Sequence, residues 1–118
     1  MSEQDPRPGG PVRRYGSVVR LRPERREEYL RLHAAVRPGV EATLTHCNIS
    51  NYTIFLHGDL LFGYFEYHGD DVEADLGAIA DDEETRRWWT LTDPCQERLP
   101  DAAPGRQWSD AVEIWHLD

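Results

Sequence analysis

Residues 49–69, ISNYTIFLHGDLLFGYFEYHG, constrain the fold more than any other stretch. Two runs of apolar and aromatic residues flank a tight polar connection, His57-Gly58-Asp59, and a glycine placed there marks a β-hairpin. Aromatic residues stand on both sides of it: Tyr52, Phe55, Phe62, Tyr64, Phe65 and Tyr67. Helices can cover one face of a small sheet, and an aromatic second face must be covered as well. A homodimer that pairs two sheets face to face is the expected solution.

The flanking segments give the hairpin its context. YGSVVRLR (15–22) is a β-branched run that reads as a first strand. Pro23 then opens a helix, and Tyr29, Leu32, His33 and Val36 fall on one face at i, i+3, i+4 and i+7. Arg37-Pro38-Gly39 interrupts that helix, and VEATLTHC resumes it for two turns. Residues 70–94 read as two helices, with Val72, Leu76 and Ile79 on one stripe and a break at Asp81-Asp82. The acidic residues there favour a helix start, and Pro94 ends the second helix. CQERLPDAAPGRQ reads as a loop with one helical turn, and WSDAVEIWHLD as a closing strand.

The order β, α, β, β, α, β is the ferredoxin-like arrangement, an α+β fold with a four-stranded antiparallel sheet and helices on one face. Pairing of two such sheets makes a dimeric α/β-barrel. Residues 1–14, MSEQDPRPGGPVRR, are rich in Pro, Gly and polar residues and are expected to form a disordered tail, leaving 15–118 as a single domain.

Composition excludes several functions. A net charge of −9 argues against nucleic acid and anionic membranes as partners. All thirteen basic residues are arginine, so Schiff-base chemistry, which needs a lysine amine, is excluded. Cys47 and Cys95 stand far apart and read as buried free thiols, while His46, His57, His68 and His116 are scattered without metal spacing. No Gly-rich phosphate loop or G-x-S-x-G turn occurs, so neither cofactor nor metal is expected. No apolar run approaches the roughly 20 residues of a membrane span, and the N-terminus lacks a signal peptide's apolar core. The expected location is the cytoplasm.

The residues left for chemistry are aromatic or imidazole. Tyr29 and His33 lie one turn apart on a helix face, and both can give or take a proton. A histidine on an apolar face is more often a core residue, and Tyr52, in phase with Ile54 and Leu56, reads equally as a core tyrosine. Trp88 and Trp89 are adjacent, so their rings point about 100° apart and one face cannot bury both squarely. The second ring needs a cover, either a sugar packing its C–H face on the indole or a partner subunit. Together these side chains describe a neutral, aromatic, proton-transferring pocket.

Five stretches, EEYLRLH, SNYTIFL, LLFGYFE, RRWWTLTDP and VEIWHLD, carry a resemblance in order and spacing. The chain resembles the L-rhamnose mutarotases, small dimeric ferredoxin-like enzymes, from about Tyr15 to Asp118. The resemblance implies that His33 is the proton donor, that Tyr29 and Tyr52 bind the sugar and Tyr29 shares in catalysis, and that Trp88 and Trp89 form the sugar-binding pair. It implies interconversion of the α and β anomers of a free 6-deoxy-hexose without a cofactor. Two departures stand out: where the family commonly has W-P-E after the first helix, this chain has Arg37-Pro38-Gly39 beside the helix end, a change expected to reshape the pocket rim, and its N-terminal tail is longer than typical. Alternatives are the same scaffold acting on L-fucose or on an intermediate of secondary metabolism, or a non-catalytic ligand-binding module. A cofactor-free monooxygenase or cyclase rests on fold analogy alone.

Overall fold

The computed structural model describes residues 12–118. Strand β1 (Arg13–Leu21) alternates, burying Val19 and Leu21 and exposing Arg20 between them. A 3-10 turn at Pro23–Arg25 leads into helix α1 (Arg26–His33), and α2 (Pro38–His46) begins with its proline at the first helical position, where a missing N–H costs nothing. Strands β2 (Ile49–His57) and β3 (Leu60–Tyr67) form the hairpin. Gly58 has φ +60°, the positive value that a two-residue hairpin turn requires. Helices α3 (Val72–Asp81) and α4 (Glu83–Thr92) follow, separated by Asp82 alone. Each starts with a carboxylate cap: Asp71 accepts from the Ala74 N–H at 3.1 Å and Asp82 from the Thr85 N–H at 2.9 Å.

The sheet runs β2-β3-β1, and the other edge of β1 is shared by β4 (Gln96–Glu97) and β5 (Ser109–Ala111). All pairings are antiparallel, and β1 meets β3 in register from Arg13 opposite Tyr67 to Arg20 opposite Leu60. The ferredoxin-like order is therefore present, with its fourth position split between two short strands. Core side chains lie between sheet and helices in two clusters: Val19, Leu21, Tyr29, Leu61 and Cys95, and then Cys47, Ile49, Tyr67 and Ile79. Both cysteines are free and buried. Gly63 leaves room for the Trp108 ring, since a Cβ there would stand 3.2 Å from Trp108 Cζ3.

Four details differ from the sequence reading. The first strand starts at Arg13, so two residues of the expected tail are ordered in β1, while residues 1–11 of that tail lie outside the described residues. Helix α1 stops at His33, three residues before Val36. A strand, β4, stands where a loop was expected. Finally, the closing strand pairs only at Ser109–Ala111, and Val112–Asp118 has no regular structure. Val112, Ile114, Trp115 and Leu117 are exposed. Among the described residues, the Arg14–Glu113 ion pair at 3.1 Å ties this arm to β1. No apolar layer of the described chain covers it, so its alternating pattern has nothing to pack on.

Candidate active site

Tyr29 and His33 occupy successive turns of α1, and their ring centroids are 4.3 Å apart. The His33 Nδ1 lies 2.9 Å from the Tyr29 backbone carbonyl oxygen. A carbonyl only accepts, so Nδ1 donates and carries the proton. In the neutral ring the lone pair then sits on Nε2, which has no hydrogen-bond partner among the described residues. The imidazole meets the Trp88 ring of α4 in a T-shaped contact, 5.3 Å between centroids. Backbone and neighbouring rings thus fix the imidazole plane and leave one nitrogen free for work.

A β-bulge brings Tyr52 to the same place. Asn51 has φ +51°, and the β2–β3 register shifts between Ser50 and Thr53. That extra residue changes the phase of the strand, so Ile49 and Ile54 both face the helices. Tyr52 emerges on that face, its ring stacked on Phe65 at 5.7 Å. Tyr52 lines the cavity and is 47 % exposed overall, and burial of its hydroxyl raises its pKa. Tyr29 is 2 % exposed, and burial likewise pushes its phenol well above the ordinary tyrosine value, although a hydrogen bond from Gln96 works in the opposite direction. Both phenols therefore remain protonated at neutral pH.

Helix α4 contributes the tryptophans. Thr85, Trp88 and Thr92 form its buried face, and Trp89 stands to one side of it. Tyr29, His33, Tyr52, Trp88 and Trp89 all line one cavity of about 480 Å³ between helices and sheet, a size in the usual range for a small-molecule site. The rest of its wall is largely aliphatic, including Leu30, Leu44 and Leu76. Trp89 also lines a shallower groove of about 810 Å³ on the outer side, with Arg22, Arg86 and Arg98. The second tryptophan is a partition between the two spaces.

Arg37, singled out at the rim, does not line the cavity. It reaches across to Glu84 of α4 at 3.2 Å. Gly39 lies against the same glutamate, its missing Cβ only 2.8 Å from Glu84 Cγ. The departure at 37–39 thus fastens α2 to α4 outside the pocket. Sequence reasoning missed Gln96 and Gln107. Gln96 donates to the Tyr29 hydroxyl at 3.1 Å, and Gln107 donates to Gln96 Oε1 at 3.1 Å. Neither lies in a periodic pattern, so no local signal pointed to them.

The same arrangement of elements has known counterparts. A family model for L-rhamnose mutarotase matches residues 14–117. An L-rhamnose mutarotase from Lactiplantibacillus plantarum is 31 % identical over 105 residues, covering 89 % of this chain and 98 % of that protein. One from Opitutus terrae is 36 % identical over 93 residues, covering 77 % and 85 %. Among solved structures, an L-rhamnose mutarotase from Formosa agariphila superposes with a TM-score of 0.70 at 20 % identity, covering 90 % of this chain and 99 % of that one. Tetracenomycin F2 cyclase from Streptomyces glaucescens superposes with a TM-score of 0.64 at 14 % identity, covering 90 % and 99 %. At those identities the two superpositions speak for the fold.

Proposed function

The chain belongs to the L-rhamnose mutarotase family, and we propose that it interconverts the α and β anomers of free L-rhamnose in the cavity between α1, α4 and the sheet. It is a carbohydrate isomerase. The observation that carries the reading is the convergence of an imidazole with a free Nε2, two protonated phenols and two indoles on one small cavity.

The chemistry follows from those groups. Opening the pyranose breaks the bond between C1 and the ring oxygen, which needs a proton on that oxygen and loss of the proton from the anomeric hydroxyl. Protonated His33 gives its Nε2 proton to the ring oxygen as the bond breaks. The anomeric proton passes to a tyrosine hydroxyl, Tyr29 or Tyr52, which hands its own proton to water and stays neutral, as the raised phenol pKa values require. Rotation about C1–C2 presents the other face of the aldehyde, and the same transfers in reverse close the ring. Neutral His33 retains its Nδ1 proton on the Tyr29 carbonyl throughout, so Nε2 both gives and recovers the mobile proton. Trp88 and Trp89 pack on the apolar face of the sugar and its C5 methyl.

A second copy of the chain completes this reading. Phe55 and Phe62 stand opposite each other on the helix-free face of the sheet, 62 % and 41 % exposed, and in the arm after β5 Ile114 is 93 % exposed. Isologous pairing of two such faces covers both patches at once. Two buried free thiols suit the reducing cytoplasm, where we place the enzyme. Among the described residues no helix is long and apolar enough to cross a membrane.

The test is NMR saturation transfer between the two anomeric protons of L-rhamnose, with L-fucose in parallel. Protein-dependent exchange for rhamnose that disappears in His33→Ala is the expected result. Exchange with fucose alone would reassign the substrate, and exchange unchanged in His33→Ala would remove the imidazole from the mechanism.

A further inference from the structure

We propose that Gln96 is a positioning residue that fixes the direction of the Tyr29 hydroxyl proton, and that Gln107 fixes Gln96 in turn. The proposal rests on the reading that Tyr29 works on the sugar. A chain of polar groups runs from the cavity into the protein. The Gln107 side-chain N–H₂ donates to two oxygens, the Asp93 backbone carbonyl at 3.4 Å and Gln96 Oε1 at 3.1 Å. The Gln96 N–H₂ donates to the Tyr29 hydroxyl oxygen at 3.1 Å.

The polarity of this chain has a fixed origin. A backbone carbonyl cannot donate, so the Asp93 oxygen selects the amide nitrogen of Gln107 as its neighbour. The same nitrogen faces Gln96 and selects the oxygen end of that amide. Gln96 therefore has only its nitrogen left for Tyr29. A hydroxyl that accepts on one side must send its own O–H elsewhere. No described residue accepts it, and Tyr29 lines the cavity. The Tyr29 proton is thereby aimed at whatever the cavity holds, without an internal acceptor competing for it.

Burial makes the arrangement count. Gln96 is 5 % exposed and Tyr29 2 % exposed, so water does not substitute for either partner. The backbone that places Gln96 is β4: Gln96 pairs opposite the buried Leu21 of β1 and so projects to the helix side of the sheet, toward Tyr29. A strand of only two residues thus has a stated task.

Gln96→Glu tests this because it changes bond direction and little else. A carboxylate has the shape of the amide and still accepts from Gln107, but it accepts from Tyr29 as well and turns the phenol proton away from the cavity. Once protonated, the introduced carboxyl can donate again. Expected for Q96E are a kcat at pH 8 at least about tenfold below wild type with KM nearly unchanged, and recovery relative to wild type as pH falls through the pKa of the introduced carboxyl. Gln96→Met, which removes the donor without supplying an acceptor, should lie between Q96E and wild type. Wild-type kcat in Q96E, equal losses in Q96E and Q96M, or a Q96E deficit that does not change with pH would each overturn the proposal.

A measurement that needs no Gln96 variant stands beside these. The side-chain amide proton resonances of Gln96 should shift in Tyr29→Phe, which deletes the acceptor, and unshifted resonances would also overturn the proposal. This second readout does not depend on catalysis. If the wild-type protein fails to speed rhamnose exchange, the functional reading fails by itself, while the amide shift still reports whether Gln96 directs Tyr29.

Discussion

Trp88 and Trp89 are neighbours on α4 that line the same cavity from different depths: Trp88 is 8 % exposed and makes a T-shaped contact with His33, while Trp89 is 38 % exposed and divides the cavity from the outer groove. Their roughly 100° separation on the helix makes one ring part of the core and the other a wall.

The two rings should therefore respond differently to truncation. Trp88→Ala empties a packed site and is expected to cost about 3–5 kcal/mol of stability, in the range for buried large-to-small changes. Trp89→Ala should cost on the order of 0.5 kcal/mol, as surface substitutions do, and on the proposed reading should raise KM for L-rhamnose because a wall of the cavity is lost. Denaturant melts alongside saturation-transfer kinetics separate the cases. Equal stability losses would mean that both rings are core.

The protonation pattern of His33 gives a sharper expectation for the imidazole. His33→Ala should lower anomer exchange by about 10²–10⁴-fold, the usual contribution of one positioned acid or base. His33→Asn is the more telling variant. Its amide can still donate to the Tyr29 carbonyl where Nδ1 did, but it has no atom in place of Nε2. It should fold as the parent does and be as inactive as the alanine variant. Substantial activity in His33→Asn would move the working atom away from Nε2.

What could be read in the sequence was what short-range rules decide. The break between α3 and α4 was visible because Asp82 caps locally, and the Tyr29–His33 pairing because one helical turn brings them together. Gly58 announced the hairpin turn for the same reason. Tyr52 was put on its proper face by its phase with Ile54, although the bulge at Asn51 that reconciles this with Ile49 left no sequence mark. Gln96 was illegible because its direction comes from pairing with Leu21, seventy-five positions earlier in a strand it meets only in the folded chain. The closing segment showed the alternation of a strand correctly, but a pattern does not supply the surface that it packs against. Hence β5 stops at Ala111.

Acid should destabilise the fold through two carboxylates outside the cavity. The Thr85 backbone N–H, then its hydroxyl, hold Asp82 below the usual carboxylate range, and the Tyr67 hydroxyl at 2.5 Å, then Asn48, do so for Asp75. A pKa lowered on folding adds stability that is complete above the unfolded value of about 3.9 and is lost as pH falls through the folded value. Thermal melts from pH 7 to 3 should show Tm dropping below about pH 4. Asp82→Asn, which keeps a good helix cap but does not titrate, should flatten that drop. Tyr67 works in the other direction: burial first, then Asp75, raise its pKa to about 12, so its contribution is lost as pH rises from about 10 toward that value. An unchanged acid limb in Asp82→Asn would show that other groups control it.

The helix-free face and the C-terminal arm should be buried together in a dimer. Phe55 faces Phe62 across the β2–β3 ladder, and Val112, Ile114, Trp115 and Leu117 extend from the end of β5, tied back among the described residues by the Arg14–Glu113 pair. A monomer would leave all six apolar side chains against water, at roughly 25 cal/mol for each Å² of apolar surface. Sedimentation of the wild-type protein should give a particle of twice the 13.6 kDa chain, with a Tm that rises with protein concentration. Phe55→Asp and Trp115→Asp place a charge in each half of the proposed contact. Both should shift the protein toward monomer, and because neither side chain lines the cavity proposed as the active site, any loss of activity should follow dissociation upon dilution. A wild-type protein that sediments as a monomer would remove the second copy and leave these aromatic residues without an explanation in this fold.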